Sequence, residues 1–164
     1  MARDEIQQAA DAALADDPAT KTRQWLLETT AGTLCTTSAR RGLAGYPFGS
    51  VVPFALDADG RPVILIAGIA AHTANLRQDP RASLFVRQPN LDGDPQKGWR
   101  VTLMGEWAQV PREASDALHA RYVERVPFAD GYLDTHDFSY WRMEHVEQVR
   151  FIGGFGKICW LPGA

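Results

Sequence analysis

Gly45-Tyr46-Pro47-Phe48-Gly49-Ser50-Val51-Val52-Pro53-Phe54-Ala55-Leu56 leads through an Asp59-Gly60 turn into Val63-Ile64-Leu65-Ile66-Ala67, and then into Ala71-His72-Thr73-Ala74-Asn75-Leu76. Two apolar runs on either side of a short Asp-Gly turn read as a hairpin. The break after Ala67 opens a short helix, whose first backbone N–H groups lack intrahelical partners and attract an anion. A hairpin followed by a helix start makes a phosphate site, and so predicts a phosphorylated cofactor.

The segments around this stretch alternate in the same way. Upstream, Asp4 to Leu14 is alanine-rich with Ile6, Ala10 and Leu14 at helical spacing, and Thr22 to Glu28 carries Trp25, Leu26 and Leu27 in a second helical segment. Thr33 to Thr37 reads as a short strand and Arg40 to Pro47 as a loop punctuated by Gly and Pro. Downstream, Asp79-Pro80 closes the short helix, Ala82 to Val86 forms a strand, and Gln88 to Gly98 is polar and rich in turn residues, a mobile loop. Trp99 to Val110 alternates as a long strand, with Gly105 marking a bulge or a close backbone approach. Pro111 suits the first turn of a helix through Arg125, with Ala114, Leu118 and Tyr122 as its apolar stripe. The tail from Phe138 to Trp160 holds a strand at Gln148 to Ile152, the run Gly153-Gly154-Phe155-Gly156, and a last strand through Trp160.

A chain of 164 residues, 45% hydrophobic, fills one core, so residues 1–164 form one domain with residues 1–21 as a helical extension. A net charge of −3 with no run of Lys or Arg argues against nucleic acid or an anionic membrane as partner. Cys35 and Cys159 lack zinc or redox spacing and read as buried, reduced thiols. The acidic N-terminal segment does not read as a signal peptide, and no stretch reaches membrane-spanning length. The expected compartment is the cytoplasm.

Short connections between the strands point to a mainly β, α+β architecture that curls into a barrel. At Tyr46 to Phe54, and at His72-Thr73-Ala74-Asn75-Leu76 through Asp79-Pro80-Arg81-Ala82-Ser83-Leu84, the chain resembles the pyridoxamine 5'-phosphate oxidase-like FMN-binding split-barrel family. The resemblance runs over about Thr22 to Trp160. It is strongest to a branch that includes haem-utilisation proteins and many uncharacterised flavoproteins.

That resemblance implies a six-stranded antiparallel split β-barrel with N-terminal and peripheral helices, a homodimer, and FMN in a cleft between subunits. It implies that main-chain groups of Ser50, Val51 and Val52 face the flavin, and that Ile66 and Ala67 lie beside the ribityl-phosphate chain. It puts His72 where the family places a cationic phosphate ligand, with Thr73 completing the helix-start site. The bland alternative has Thr73 as a helix cap and His72 as its solvated neighbour. Arg100 matches a cofactor-facing position, or is a solvated surface arginine, and Lys157 is a further phosphate candidate. The charged clamp that grips the vitamin substrate in true pyridoxamine-phosphate oxidases has no counterpart in Gly156-Lys157-Ile158-Cys159-Trp160, so vitamin B6 oxidation is not expected.

The primary expectation is therefore an FMN-dependent oxidoreductase acting on a small-molecule redox substrate. No catalytic side chain is assigned, because the cofactor carries such chemistry. Two alternatives stand beside it. One is a haem-binding or haem-degrading protein with His136 or His145 as axial ligand, and the other is a cofactor-free dimer. His119 is expected to face solvent, and no histidine has a second ligand at metal spacing. Gly153 to Gly156 is either a flavin-edge loop with Phe155 stacking or a bulge turning a strand. Trp99, Trp107, Tyr140, Trp141 and Trp160 are assigned to the core or to a dimer interface. Asp92, Asp94, Asp130, Asp134 and Asp137 show no spacing that demands acid–base catalysis.

Overall fold

The computed structural model describes residues 4–8, 16–135, 137–154 and 156–163. Residues 4–8 are helical, and the remainder of the expected first helix falls mostly outside the described residues. The next helix begins earlier than its apolar pattern indicates. Asp17 caps α1 (Pro18–Glu28) by accepting from the Thr20 N–H at 2.9 Å, and Pro18 occupies the first turn, where its missing N–H costs nothing.

Eight strands follow in one sheet: β1 (Ala31–Thr37), β2 (Pro47–Pro53), β3 (Ala55–Leu56), β4 (Pro62–Ala67), β5 (Arg81–Arg87), β6 (Arg100–Gln109), β7 (Phe138–Ile152) and β8 (Ile158–Pro162). Helices α2 (Ala71–Gln78) and α3 (Arg112–Arg125) sit after β4 and β6. The order is β2-β1-β5-β6-β7-β4-β3, with β8 on the second edge of β7, and every pairing is antiparallel. The expected mainly β, antiparallel architecture is present, with eight strands in place of six. The count differs because β3 separates from β2 at Phe54 and β8 stands apart as a partner of β7 alone.

Phe54 explains the curl. β2 and β3 are the two ends of the sheet path, yet a single residue joins them. Since consecutive Cα atoms lie 3.8 Å apart, the two sheet ends must meet at that corner. Away from it β2 and β4 share no ladder, and this unpaired seam is the split in the barrel.

The core fills the curl. Leu34, Val52, Ile64, Leu84, Val101, Trp107 and Met143 point inward and are at most 2% exposed. A second cluster lies outside β4, where Val63, Leu65 and Tyr140 pack under Tyr122 and Val126 of the α3 region. β4 is thus buried on both faces, which is why Val63 to Ile66 is a continuous apolar run rather than an alternating one. Trp25 of α1 stacks on Trp99 at 4.5 Å and on Phe151 at 5.0 Å, docking the helix on the barrel.

The expected strand at Gln148 to Ile152 is in fact the end of the fifteen-residue β7. Two register shifts against β6 leave Glu147 and Glu144 of β7 unpaired, and a Cβ on Gly105 would meet the His145 carbonyl at 2.0 Å. Both the bulge and the close approach inferred from Gly105 are present. Because the extra residues sit on β7, the phase of β6 is intact and Trp99 and Trp107 face the same side. Gly153 to Lys157 forms the β7–β8 turn, closed by the Gly153 N–H donating to the Lys157 carbonyl at 2.8 Å; Phe155 lies outside the described residues.

α3 holds the barrel closed. The Tyr122 hydroxyl, 1% exposed with its residue, donates to the Pro53 carbonyl of β2 at 3.1 Å, while its oxygen faces the backbone of Leu65 on β4. Replacing Tyr122 with Phe leaves a carbonyl without its donor and should cost about 1–2 kcal/mol in urea unfolding. A midpoint equal to wild type would show that this bridge does not stabilise the barrel.

Candidate functional site

The split is bounded by the free edge of β2, the end of β4 and the head of α2. The phase of the β1–β2 ladder decides which backbone groups line it. Ser38 N–H donates to Tyr46 C=O at 2.8 Å and Phe54 N–H to Thr30 C=O at 2.9 Å, both in register with the strand pairing. In an antiparallel pair every second residue bonds the partner strand, so Phe48, Ser50 and Val52 are committed to β1. Gly49 and Val51 turn their N–H and C=O groups to the open edge, bracketed by Pro47 and Pro53, which have no N–H to offer. Of the three backbone positions expected to face a cofactor, only Val51 has this orientation, and Gly49 joins it. Val51 is also 80% exposed at its side chain's face, whereas Val52 is in the core.

The same argument applies on β4. Gly68 N–H donates to Asp137 C=O at 2.6 Å, which places Leu65 and Ala67 on the edge facing the split. Ala67 C=O is already taken there, accepting from the Ala70 N–H at 3.1 Å and from the Thr73 hydroxyl at 2.6 Å. Ile66 is buried in the core.

Thr73 therefore departs from its expected role. It is fully buried, and its hydroxyl fixes the β4–α2 turn instead of meeting an anion. The head of α2 has no side-chain cap, so Thr73 is not a helix cap either. His72 lies beside it, half-buried, with no hydrogen-bond or ion-pair partner among the described residues. Burial pushes its pKa below the usual 6.5, so at neutral pH it is an uncharged imidazole rather than a phosphate-binding cation.

The other expected cations lie elsewhere. Arg100 donates to Gln96 C=O at 2.7 Å and Gly98 C=O at 3.1 Å, ordering the Gln88–Gly98 loop. Lys157 is 3.6 Å from Asp16 in the turn before β8. Ala67 pairs with the first residue of β7 and Ile158 with the last, so within one chain His72 and Lys157 sit at opposite ends of that strand. Arg81 is bound to Asp79 at 2.8 Å and holds that carboxyl down to about 2. Arg40, Arg41 and Arg77 have no charged partner among the described residues and lie on the segments flanking the open end of the split. Beside β2, a groove of about 540 Å³ crosses the outer sheet face over Cys35, Pro47, Arg81, Met104 and Glu106. Cys35 and Cys159 are unpaired and half-buried rather than fully buried.

Among the described residues no group of three His, Cys, Asp or Glu side chains could hold a metal ion, and no helix is long and apolar enough to cross a membrane. His145 is exposed and 3.2 Å from Glu147; His136 lies outside the described residues. His119 does not face solvent as expected: its Nδ1 is 2.7 Å from the Tyr140 hydroxyl. The apolar stripe predicts burial for Tyr122, and a buried tyrosine hydroxyl needs a partner, which is the signal in the sequence for its bond to the Pro53 carbonyl.

A family model for the CREG beta-barrel matches residues 14–163. The chain belongs to the CREG beta-barrel family. Within 110 residues, 67% of this chain, it is 36% identical to HOZ, a chloroplast haem oxygenase of Arabidopsis thaliana, and the match covers 33% of that protein. A haem-binding protein of Mycobacterium smegmatis superposes with a TM-score of 0.79 at 33% identity, over 89% of this chain and 58% of that one. HutZ, a haem storage protein of Vibrio cholerae, superposes with a TM-score of 0.69 over 82% of this chain and 94% of its own; at 23% identity it shows the shared fold. This CREG beta-barrel chain thus spans about a third of the plant relative and under two thirds of the mycobacterial one.

The depressed pKa of His72 has a stability consequence with a definite sign. Below pH 6.5 the unfolded chain binds a proton at this residue that the folded chain takes up only at lower pH, so its contribution to stability is complete above pH 6.5 and falls as pH drops from there toward the folded value. Urea midpoints of wild type and His72→Asn measured at pH 7.5 and pH 5 should show a smaller acid loss in the variant. Equal losses would mean that the imidazole is not desolvated.

Proposed function

We propose that this CREG beta-barrel chain binds haem in the split, between two copies of itself. The observation that carries this reading is His72, an unpartnered imidazole kept neutral by burial at the mouth of the split. A neutral imidazole has a lone pair for iron and is a common metal ligand, while toward a phosphate it offers one uncharged N–H instead of a charge-assisted bond. The residues present fit the group in other respects as well. Arg40 and Arg41, in the segment that leads into β2 and without a charged partner among the described residues, suit its two carboxylates. The names of the relatives above 30% identity, one a haem oxygenase and one a haem-binding protein, support the same direction.

Haem, when bound, supplies iron-centred redox chemistry. The chain's part is to orient it: His72 toward the metal, Gly49 and Val51 backbone groups along one edge, and α3 closing the floor. The second copy is needed because the sheet face next to the split is open to solvent. Val51 on the open edge strand β2 is 80% exposed, an apolar side chain beside the split that a partner would cover.

FMN, the cofactor expected from the sequence, is the second reading. The unbonded N–H and C=O groups of Gly49 and Val51 favour it, since they can pair with the polar edge of a flavin as readily as with a porphyrin margin. Of the phosphate ligands expected for it, Thr73 and Arg100 donate to backbone carbonyls and Lys157 lies 3.6 Å from Asp16, so its phosphate would rest on other cations such as Arg40 and Arg41.

Titrating the purified chain with haem and, separately, with FMN decides between the readings. Haem should develop a Soret band saturating at one equivalent per chain, sedimentation should show a dimer, and His72→Ala should shift the band and weaken affinity by at least about tenfold, roughly 1.4 kcal/mol. Saturable FMN binding with no haem band would overturn the haem reading in favour of the flavin.

A further inference from the structure

Beneath the split lies a polar group that neither cofactor reading uses. Tyr140 on β7 is fully buried, and burial raises the pKa of its hydroxyl far above the ordinary phenol value. Its hydroxyl is 2.7 Å from His119 Nδ1, and His119 Nε2 is 3.7 Å from the Asp130 carboxylate. The carboxylate favours the proton on Nε2, which leaves Nδ1 as the acceptor and the Tyr140 hydroxyl as the donor. Tyr122 packs edge-on against Tyr140, with ring centroids 5.2 Å apart. The two buried phenols have different partners. Tyr122 donates to the Pro53 carbonyl, which cannot hold a proton; Tyr140 donates to an imidazole, which can.

We propose that Tyr140 is a redox-active tyrosine, with His119 as its proton acceptor. The step balances in one electron and one proton. Tyr140 gives an electron to an outer-sphere one-electron oxidant, which is reduced by one unit. The phenolic proton moves along the hydrogen bond to His119 Nδ1, leaving a neutral tyrosyl radical beside an imidazolium that faces Asp130. Reduction of the radical by one electron returns the proton along the same bond. Oxidising Tyr122 would strand a proton on a phenol radical cation, so a hole that reaches either ring settles on Tyr140. In the cell a haem held in the split would supply a one-electron oxidant of this class, and this clause alone rests on the haem reading. The device itself depends only on Tyr140, His119 and Asp130.

The test uses the full chain without cofactor, oxidised by a flash-generated ruthenium(III) polypyridyl complex and followed by visible absorption and electron paramagnetic resonance. Wild type should give a neutral tyrosyl radical that decays about tenfold more slowly than radicals on the exposed Tyr46 and Tyr132, a barrier difference of about 1.4 kcal/mol. Tyr140→Phe should remove the slow component and Tyr122→Phe should keep it. His119→Gln can still accept the hydrogen bond but not the proton, and should cut the yield of the slow component about tenfold. Because His119 lies on the partly exposed side of α3, that variant decides the matter even if Tyr140→Phe fails to fold. A slow radical surviving in Tyr140→Phe, or an unchanged yield in His119→Gln, overturns the proposal. If haem titration fails while the slow radical persists, the haem reading falls and the redox assignment stands.

Discussion

The hydrogen bond from the Tyr122 hydroxyl to the Pro53 carbonyl ties the two halves of this barrel together. β2 and β4 have no ladder between them, because the sheet ends at β2 on one side and at β3 on the other. Phe54 forces the ends to meet at one corner, and Tyr122 reaches into the gap just beyond it, bonding one strand and facing the backbone of the other. Burial raises that hydroxyl to about 12, so it stays a donor throughout the working pH range. Beyond the corner no backbone ladder bridges the two strands. The split is a consequence of where the pairing stops.

What lines the split follows from ladder phase rather than from side-chain identity. The residues of β2 that bond β1 are fixed by the flanking bonds at Ser38 and Phe54, leaving Gly49 and Val51 as the open ones. The prolines at 47 and 53 limit that edge to a short window, which also protects it from pairing with another chain along its length. Thr73 ties the end of β4 to α2, and the turn it fixes carries His72 to the mouth. The site thus joins backbone polarity on one side with a desolvated imidazole on the other. That combination suits a flat, largely apolar ligand with its polar groups at the margin, as haem is.

Much of this was legible in the sequence, and the failures have identifiable causes. The Gly105 bulge is readable because glycine placement reports local geometry directly, whereas only Ala55–Leu56 of the expected hairpin pairs with β4 and, of the expected helix stripe, Ala114 is exposed while Tyr122 is buried. β7 was read at one-third of its length because Arg142, Glu144, His145 and Glu147 interrupt the alternation, and two of those residues are the bulges that shift its phase. The contacts of Thr73, Arg100 and Lys157 are not legible in the sequence for another reason. Each is settled by a partner many residues away or by a backbone carbonyl, and spacing carries no record of such bonds. His72 was placed correctly next to the helix start, yet its charge state depends on burial, which only the folded chain determines.

The central claim, that the ligand occupies the split between β2 and β4, is tested most directly by amide resonances of the isotopically labelled chain during haem addition. Paramagnetic iron broadens nuclei close to it, so the account predicts signal loss centred on Gly49, Val51 and the segment from Ala67 to Thr73. The β7–β8 turn at Gly153 and Gly154 of the same chain should be spared unless a partner subunit brings it near. Broadening confined to that turn and the neighbouring Gln88–Gly98 loop, with Gly49 and Val51 unchanged, would contradict the account.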